Sequence, residues 1–317
     1  MSISKEDAKR HSWARFGMRL ALSTSCHPFE YAKVLIQIGY EPIPPRATTT
    51  LFGRPALALP NVFQYVGYIK RIDGITGCYR GLTPKLLGNI VSVLGSEKIA
   101  EHLGLGSCQE KEDINEDELS DLERRKRFEK ALSRDMVLHL SGTIISHPFQ
   151  VITVRMMAQF IGRETKYCSV LGSLYAIYQE EGFAGFFNGL FPRLLGDVAC
   201  LLFASAVTFI INKHLVQDKE TRSYVGAIAT FITSTIMYPF QVVSNCMALA
   251  GSGLVASKPP YMPVFNNWQD CWAHLKQRGE LKRGSSLLWR YWRPPAYDLG
   301  ALPPAPAPEF RKSDNKH

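Results

Sequence analysis

The stretch HPFEYAKVLIQ, residues His27–Gln37, places a proline, a glutamate and a lysine inside a run that otherwise reads as apolar helix. The pattern returns as HPFQVITVRMMAQ from His147 and as YPFQVVSNCMA from Tyr238. Proline removes a backbone donor and kinks a helix. Kinks at Pro28, Pro148 and Pro239 therefore predict three bent helices, and their spacing of about one hundred residues marks an internal repeat.

Downstream of the first two prolines lie RIDGITGCYRGLTPK (Arg71–Lys85) and QEEGFAGFFNGLFPR (Gln179–Arg193). Both read acid, glycine, four residues, aromatic, one residue, glycine, two residues, proline, base. The third counterpart, QRGELKRGSS (Gln277–Ser286), retains only the glycine skeleton. Each unit reads as a proline-kinked membrane helix, a polar loop with a short amphipathic helix, and a second membrane helix. The expected organisation is repeat one over 1–103, a charged loop over 104–131, repeat two over 132–215 and a degenerate repeat three over 216–285. A proline-rich disordered tail is expected over 286–317.

The distribution of charge makes this a membrane protein. Mean hydropathy is only -0.08, but that figure averages very unlike segments. From Ser223 to Ser257 and from Val137 to Val154 there is no Asp, Glu, Lys or Arg, and from Leu194 to Asn212 there is one, Asp197. A bilayer core needs about 20 apolar residues, so these three stretches predict membrane helices. Charges concentrate between Glu110 and Lys130, where a mixture of nine acids and six bases predicts an aqueous loop.

The net charge of +9 comes without an aromatic-and-basic binding pattern, so nucleic acid is not an expected partner and anionic lipid accounts for the basic loops. Seven scattered cysteines without a CxxC predict neither a disulfide framework nor a zinc site. His27 and His147 both precede a motif proline, but no carboxylate or thiolate at suitable spacing joins them, so no metal is expected. The N-terminus lacks an apolar run before a small-residue cleavage site, which excludes a secretory signal, and Glu6 and Asp7 speak against a cleaved mitochondrial presequence.

These motifs resemble the mitochondrial carrier family, whose pattern is P-x-[DE]-x-x-[KR] followed by [DE]-G-x4-[FWY]-[KR]-G. Pro28, Glu30 and Lys33, with Asp73, Gly74, Tyr79, Arg80 and Gly81, match all of it, and Gly182 and Gly189 hold the second repeat's turn. The wording of KVLIQIGYEPIPP, AQFIGRETKYCSV and FFNGLFPRLLGDV is similar to one divergent branch, the mitochondrial carrier homologues. The resemblance implies a helical barrel closed at one end by a ring of ion pairs between the three motifs. For that branch it further implies residence in the outer mitochondrial membrane, insertion of α-helical and tail-anchored proteins there, and docking of an apoptotic Bcl-2-family protein.

Two departures qualify the resemblance. Repeat two offers Gln150 and Thr153 where the acid and base belong, and repeat three offers Gln241 and Ser244, so a full ion ring cannot form. After Gly284 a carrier would run a sixth membrane helix. Here Arg290 and Arg293 interrupt the apolar stretch, and prolines at 294, 295, 303, 304, 306 and 308 forbid helix beyond it. The expected fold is an all-α, multi-pass membrane protein with five membrane helices, the sixth missing, and a laterally open polar groove in its place.

Candidate groove residues follow from rarity. Lys33 lies three residues after Glu30 on one helix face: the two form a local ion pair, or Lys33 lines the groove. Asp197 is the sole acid in its span, where a charge costs roughly 2.5 to 3.5 kcal/mol on insertion scales. Arg193, four residues earlier, either neutralises it or leaves it as the groove's negative site. Arg155, Asn89, Gln150, Gln241 and Asn245 are either glue between helices or a wettable wall. The proline and glycine motifs, with Asp73, are scaffold.

Three functions remain: an insertase working without nucleotide or cofactor, a docking scaffold, and a degenerate solute carrier, which the incomplete gate disfavours. No nucleophile elbow, paired carboxylates or metal constellation suggests a conventional enzyme.

Overall fold

The structure is a computed structural model that describes residues 5–50, 53–104, 121–214 and 219–292. Eight helices follow in the repeating order expected of the sequence. Repeat one holds α1 (Lys5–Gln37), α2 (Val62–Gly77) and α3 (Leu82–His102). Repeat two holds α4 (Asp121–Gly162), α5 (Val170–Glu181) and α6 (Leu190–His214), with a 3-10 turn at Phe183–Phe187. Repeat three holds α7 (Lys219–Leu249) and α8 (Trp268–Gln277), and among the described residues no helix follows α8.

The prolines sit inside α1, α4 and α7. Each of these helices is most deeply buried just after its kink. Tyr31, Leu35 and Ile36 of α1, Val151, Ile152 and Val154 of α4, and Val242 and Val243 of α7 are all fully buried. The core therefore lies at one end of the helical assembly, where the three bent helices converge. Away from that end the helices associate as two tight pairs through small residues. Gly95 approaches Ile145, Gly142 approaches Ser92, and Gly196 approaches Phe240, each so closely that a Cβ would lie 2.7 Å from its neighbour. Close backbone approach of this kind is how helices associate in lipid, where burial of apolar surface gives no drive.

Three segments are long and apolar enough to cross a membrane: Arg125–Gly162, Phe183–Ile211 and Tyr224–Leu249. They overlap the three charge-poor stretches of the sequence. α1 and α3 have the length but not the composition, because polar residues recur along one face of each.

Two features add to the helical fold. Beside the helices, β1 (Arg46–Thr49), β2 (Pro55–Ala58) and β3 (Tyr291–Trp292) form a small antiparallel sheet in the order β1-β2-β3. The expected tail also begins later than residue 286, because 286–292 fold back as a strap onto the loop of repeat one. Leu57 and Ala58 pair with Trp292 and Tyr291, and the amides of Leu59 and Val62 donate to the carbonyls of Arg290 and Leu287 at 2.8 and 2.9 Å. Arg290 interrupts an apolar helix in the sequence; in the fold it is buried, ion-paired to Glu41, and donates to the Pro60 carbonyl at 2.8 Å. Residues 293–317, and most of the charged loop at 104–131, lie outside the described residues.

Candidate functional site

The site is built from three equivalent joints. The side chain just before each motif proline reaches the carbonyl just before the last glycine of its own repeat's loop motif. His27 Nε2 donates to the Arg80 carbonyl at 3.0 Å, His147 Nε2 to the Asn188 carbonyl at 3.0 Å, and the Tyr238 hydroxyl to the Arg283 carbonyl at 3.2 Å. A carbonyl only accepts, so each imidazole carries its proton on Nε2.

The glycine that follows each carbonyl packs against the next kinked helix in the cycle. Gly81 faces the Thr153 backbone of α4, Gly189 faces the Ser244 backbone of α7, and Gly284 faces Gln37 and Ile36 of α1. Repeat three thus closes the cycle onto repeat one although its sequence keeps little more than glycines. The three share φ near 80° (81°, 82° and 80°), a left-handed region that costs an L side chain about 1–2 kcal/mol. At Gly189 a Cβ would also lie 2.4 Å from the Ser244 carbonyl oxygen. Gly189→Ala is expected to lower stability by more than about 2 kcal/mol in thermal melts, because strain and overlap act together. Gly182, with φ 69° and ψ -158°, has open space around the Cβ, so an alanine there meets backbone strain without overlap.

The loop acids anchor the same joints. Asp73 pairs with Arg80 at 2.9 Å, Glu181 accepts from Asn188 Nδ2 at 2.7 Å, and Glu280 pairs with Arg283 at 2.9 Å. Arg155 belongs to this framework. It is 0 % exposed, forks onto both carboxylate oxygens of Glu181, and its Nε donates to the Ala248 carbonyl at 3.0 Å, tying α4 to α5 and α7.

Where the three motifs converge, neutral amides stand in place of an ion ring. Gln37 of α1 donates to the Tyr238 hydroxyl at 2.8 Å and accepts from Asn245 Nδ2 of α7 at 2.7 Å. Gln150 of α4 reaches Asn245 Oδ1 at 3.5 Å, and Arg283 Nε donates to the Gln37 carbonyl at 2.6 Å. Asn245, Arg155 and, more weakly, Gln150 are therefore glue.

Glu30 does not pair with Lys33. Its partner is Lys85, at the head of α3, while Lys33 Nζ lies 5.2 Å from the centre of the Tyr238 ring. Asp197 is shared: Thr143 donates to it at 3.2 Å, His139 lies at 3.4 Å, and Arg193 lies at 4.0 Å. Asn89 is half-buried and Gln241 exposed, and neither has a hydrogen-bond partner among the described residues. Lys85, Glu181, His139, Arg283 and Glu280 were not among the expected site residues. The signal for the last two was their place beside the surviving glycines.

Two polar faces end at this junction. On α7, Thr230, Ser234, Tyr238, Gln241 and Asn245 recur every three or four residues and so share one face, on which Thr230, Ser234 and Gln241 are exposed. On α1, Arg15, Arg19, Cys26, Glu30, Lys33 and Gln37 share one face, interrupted by the exposed Leu22 between Arg19 and Cys26.

The model of the family described as mitochondrial carrier protein matches residues 136–219. Mitochondrial carrier homolog 2 of Homo sapiens is 39% identical over 283 residues, covering 85% of this chain and 90% of that protein. The chain belongs to the mitochondrial carrier homologue family. Mitochondrial carrier homolog 1 of Mus musculus is 38% identical over 83% of this chain and 72% of its own length. A more distant member of the wider carrier family, mitochondrial uncoupling protein 3 of Arabidopsis thaliana, is 26% identical over 76% of this chain and 75% of its own. The protein is thus a carrier-like mitochondrial membrane protein, in which the family's three-motif junction is held by amides instead of charges.

Proposed function

We propose that the protein is an insertase of the mitochondrial outer membrane that admits α-helical and tail-anchored proteins through a lateral polar groove. The observation that carries this reading is the amide junction beneath two exposed polar helix faces. A carrier that alternates access must open and reclose both ends. The junction here has amides where an ion ring would stand, is largely buried and is keyed by backbone joints, which favours a floor that stays shut. In this reading α1 and α3 cross the bilayer with α4, α6 and α7, giving five membrane helices, and the faces of α1 and α7 border the place a sixth would fill.

Such a groove works without nucleotide. A hydrophilic flank crossing hydrocarbon meets a barrier because its polar groups lose water. Hydroxyls and amides along α7 supply partners through that depth, and membrane lipid closes the open side. The drive is burial of the client's apolar segment, worth about 25 cal/mol per Å². The second reading, a receptor or scaffold that docks an apoptotic Bcl-2-family protein, is compatible with the first. A residual solute carrier is disfavoured by the amide junction.

The test is insertion of a radiolabelled tail-anchored client into liposomes bearing purified protein, against empty liposomes. Asp197→Arg places a third basic group beside His139 and Arg193 and is expected to lower insertion on the order of fivefold or more, given the cost of an unpaired charge at depth. Lys33→Glu is expected to change insertion as well. Asp197→Asn keeps an acceptor for Thr143 and serves as the variant whose melt stays close to wild type. Wild-type liposomes that insert no better than empty ones would move the scaffold to first place.

A further inference from the structure

Charge on the two polar faces is unevenly matched. The acid they carry among the described residues, Glu30 of α1, is already paired with Lys85. On α1, Arg15, Arg19 and Lys33 have no acidic partner within ion-pair distance among the described residues, and Lys33 rests on the Tyr238 ring. Arg15 and Arg19 are exposed, Lys33 is half-buried, and all three share a face. The polar stripe of α7, Thr230, Ser234 and Gln241, is uncharged. The border of the groove is therefore cationic on one side and neutral on the other.

We propose that this border selects clients by the charge of the hydrophilic flank they carry across, passing acidic flanks and holding back basic ones. The inference rests on the insertase reading and names its substrate class. Carboxylates moving along α1 meet unpaired guanidinium and ammonium groups where water is scarce, so attraction is screened less than at an open surface. Lysines and arginines meet like charge, and among the described residues the one acid of these faces, Glu30, is held by Lys85.

The experiment uses clients with one apolar segment and three translocated flanks, rich in aspartate, in serine and glycine, or in lysine. Insertion is measured into neutral phosphatidylcholine vesicles with and without the full-length protein. The expected protein-dependent order is aspartate, then neutral, then lysine. The extremes should differ on the order of fivefold, roughly the 1 kcal/mol of an exposed charge pair. The order should compress as salt rises. It should flatten in a combined Arg15→Gln, Arg19→Gln, Lys33→Gln variant, read as the ratio of aspartate-flanked to lysine-flanked insertion. Equal insertion of all flanks, or an order unchanged in the triple variant, overturns the selectivity while the insertase reading stands. Failure of the neutral-flanked client to exceed empty vesicles overturns the insertase reading, and the selectivity with it.

Discussion

Arg155→Leu is expected to cost about 3–5 kcal/mol, the penalty for leaving one member of a buried ion pair alone. The guanidinium is fully buried and its removal strands more than Glu181. The carbonyl of Ala248 loses its donor at 3.0 Å, and Tyr167, whose hydroxyl lies 3.5 Å from the same guanidinium, loses a neighbour. Three elements part at once, because α4, α5 and α7 meet on this side chain. Arg155→Lys keeps the charge but cannot fork onto both Glu181 oxygens while reaching Ala248, so it should recover only part of the loss. Thermal melts of purified protein in detergent measure both. A melt of Arg155→Leu within error of wild type would show that the framework does not depend on the fork.

Arg290→Met is expected to rank beside it, for a different reason. It leaves the Glu41 carboxylate buried under the strap and deprives the Pro60 carbonyl of a donor. Burial pushes the Glu41 carboxyl above its ordinary value, and Arg290 opposes that push. Without Arg290 the folded state holds the Glu41 proton more tightly than the unfolded state does. Stability tied to such a group is complete below the unfolded value of 4.5 and is lost as pH rises through the raised folded value. The defect of Arg290→Met should therefore be about 3–5 kcal/mol near neutrality and shrink in mild acid. Adding Glu41→Gln should remove that pH dependence and restore part of the stability. A defect equal at all pH values would mean that Glu41 is not the group left unpaired.

Much of the fold was legible because it rests on features that single letters encode. A proline inside an apolar run marks a kink, and a charge-free stretch marks a span; both recur in register. The joints were harder to read. They run from His27, His147 and Tyr238 to backbone carbonyls, and every residue has a carbonyl. Repeat three looked degenerate for the same reason: its joint needs only Gly284, the Arg283 carbonyl and a side chain able to donate. Pairing by spacing also misled at Glu30. Lys33 shares its helix face, but the turn after Gly81 brings Lys85 closer than any residue of α1. Asp197 shows the reverse case, since its neighbour by spacing, Arg193, is present but farther than His139 and Thr143 from the facing helix. The strap was hidden because two extended residues suffice for β3, whereas the prolines from 294 onward speak only against helix.

The kink in α1 has a mechanical side. From Ala14 to Cys26 no residue is buried, whereas His27 and the stretch that follows are locked into the core. α1 is thus a cantilever, clamped below Pro28 and pivoting there. At 1.5 Å per residue the arm before Pro28 is roughly 20 Å long, so a swing of ~10° at the kink would move its tip by about 3 Å. In the insertase reading, one angle at a proline then sets how wide the groove beside α1 stands, and the effect grows with distance from the clamp.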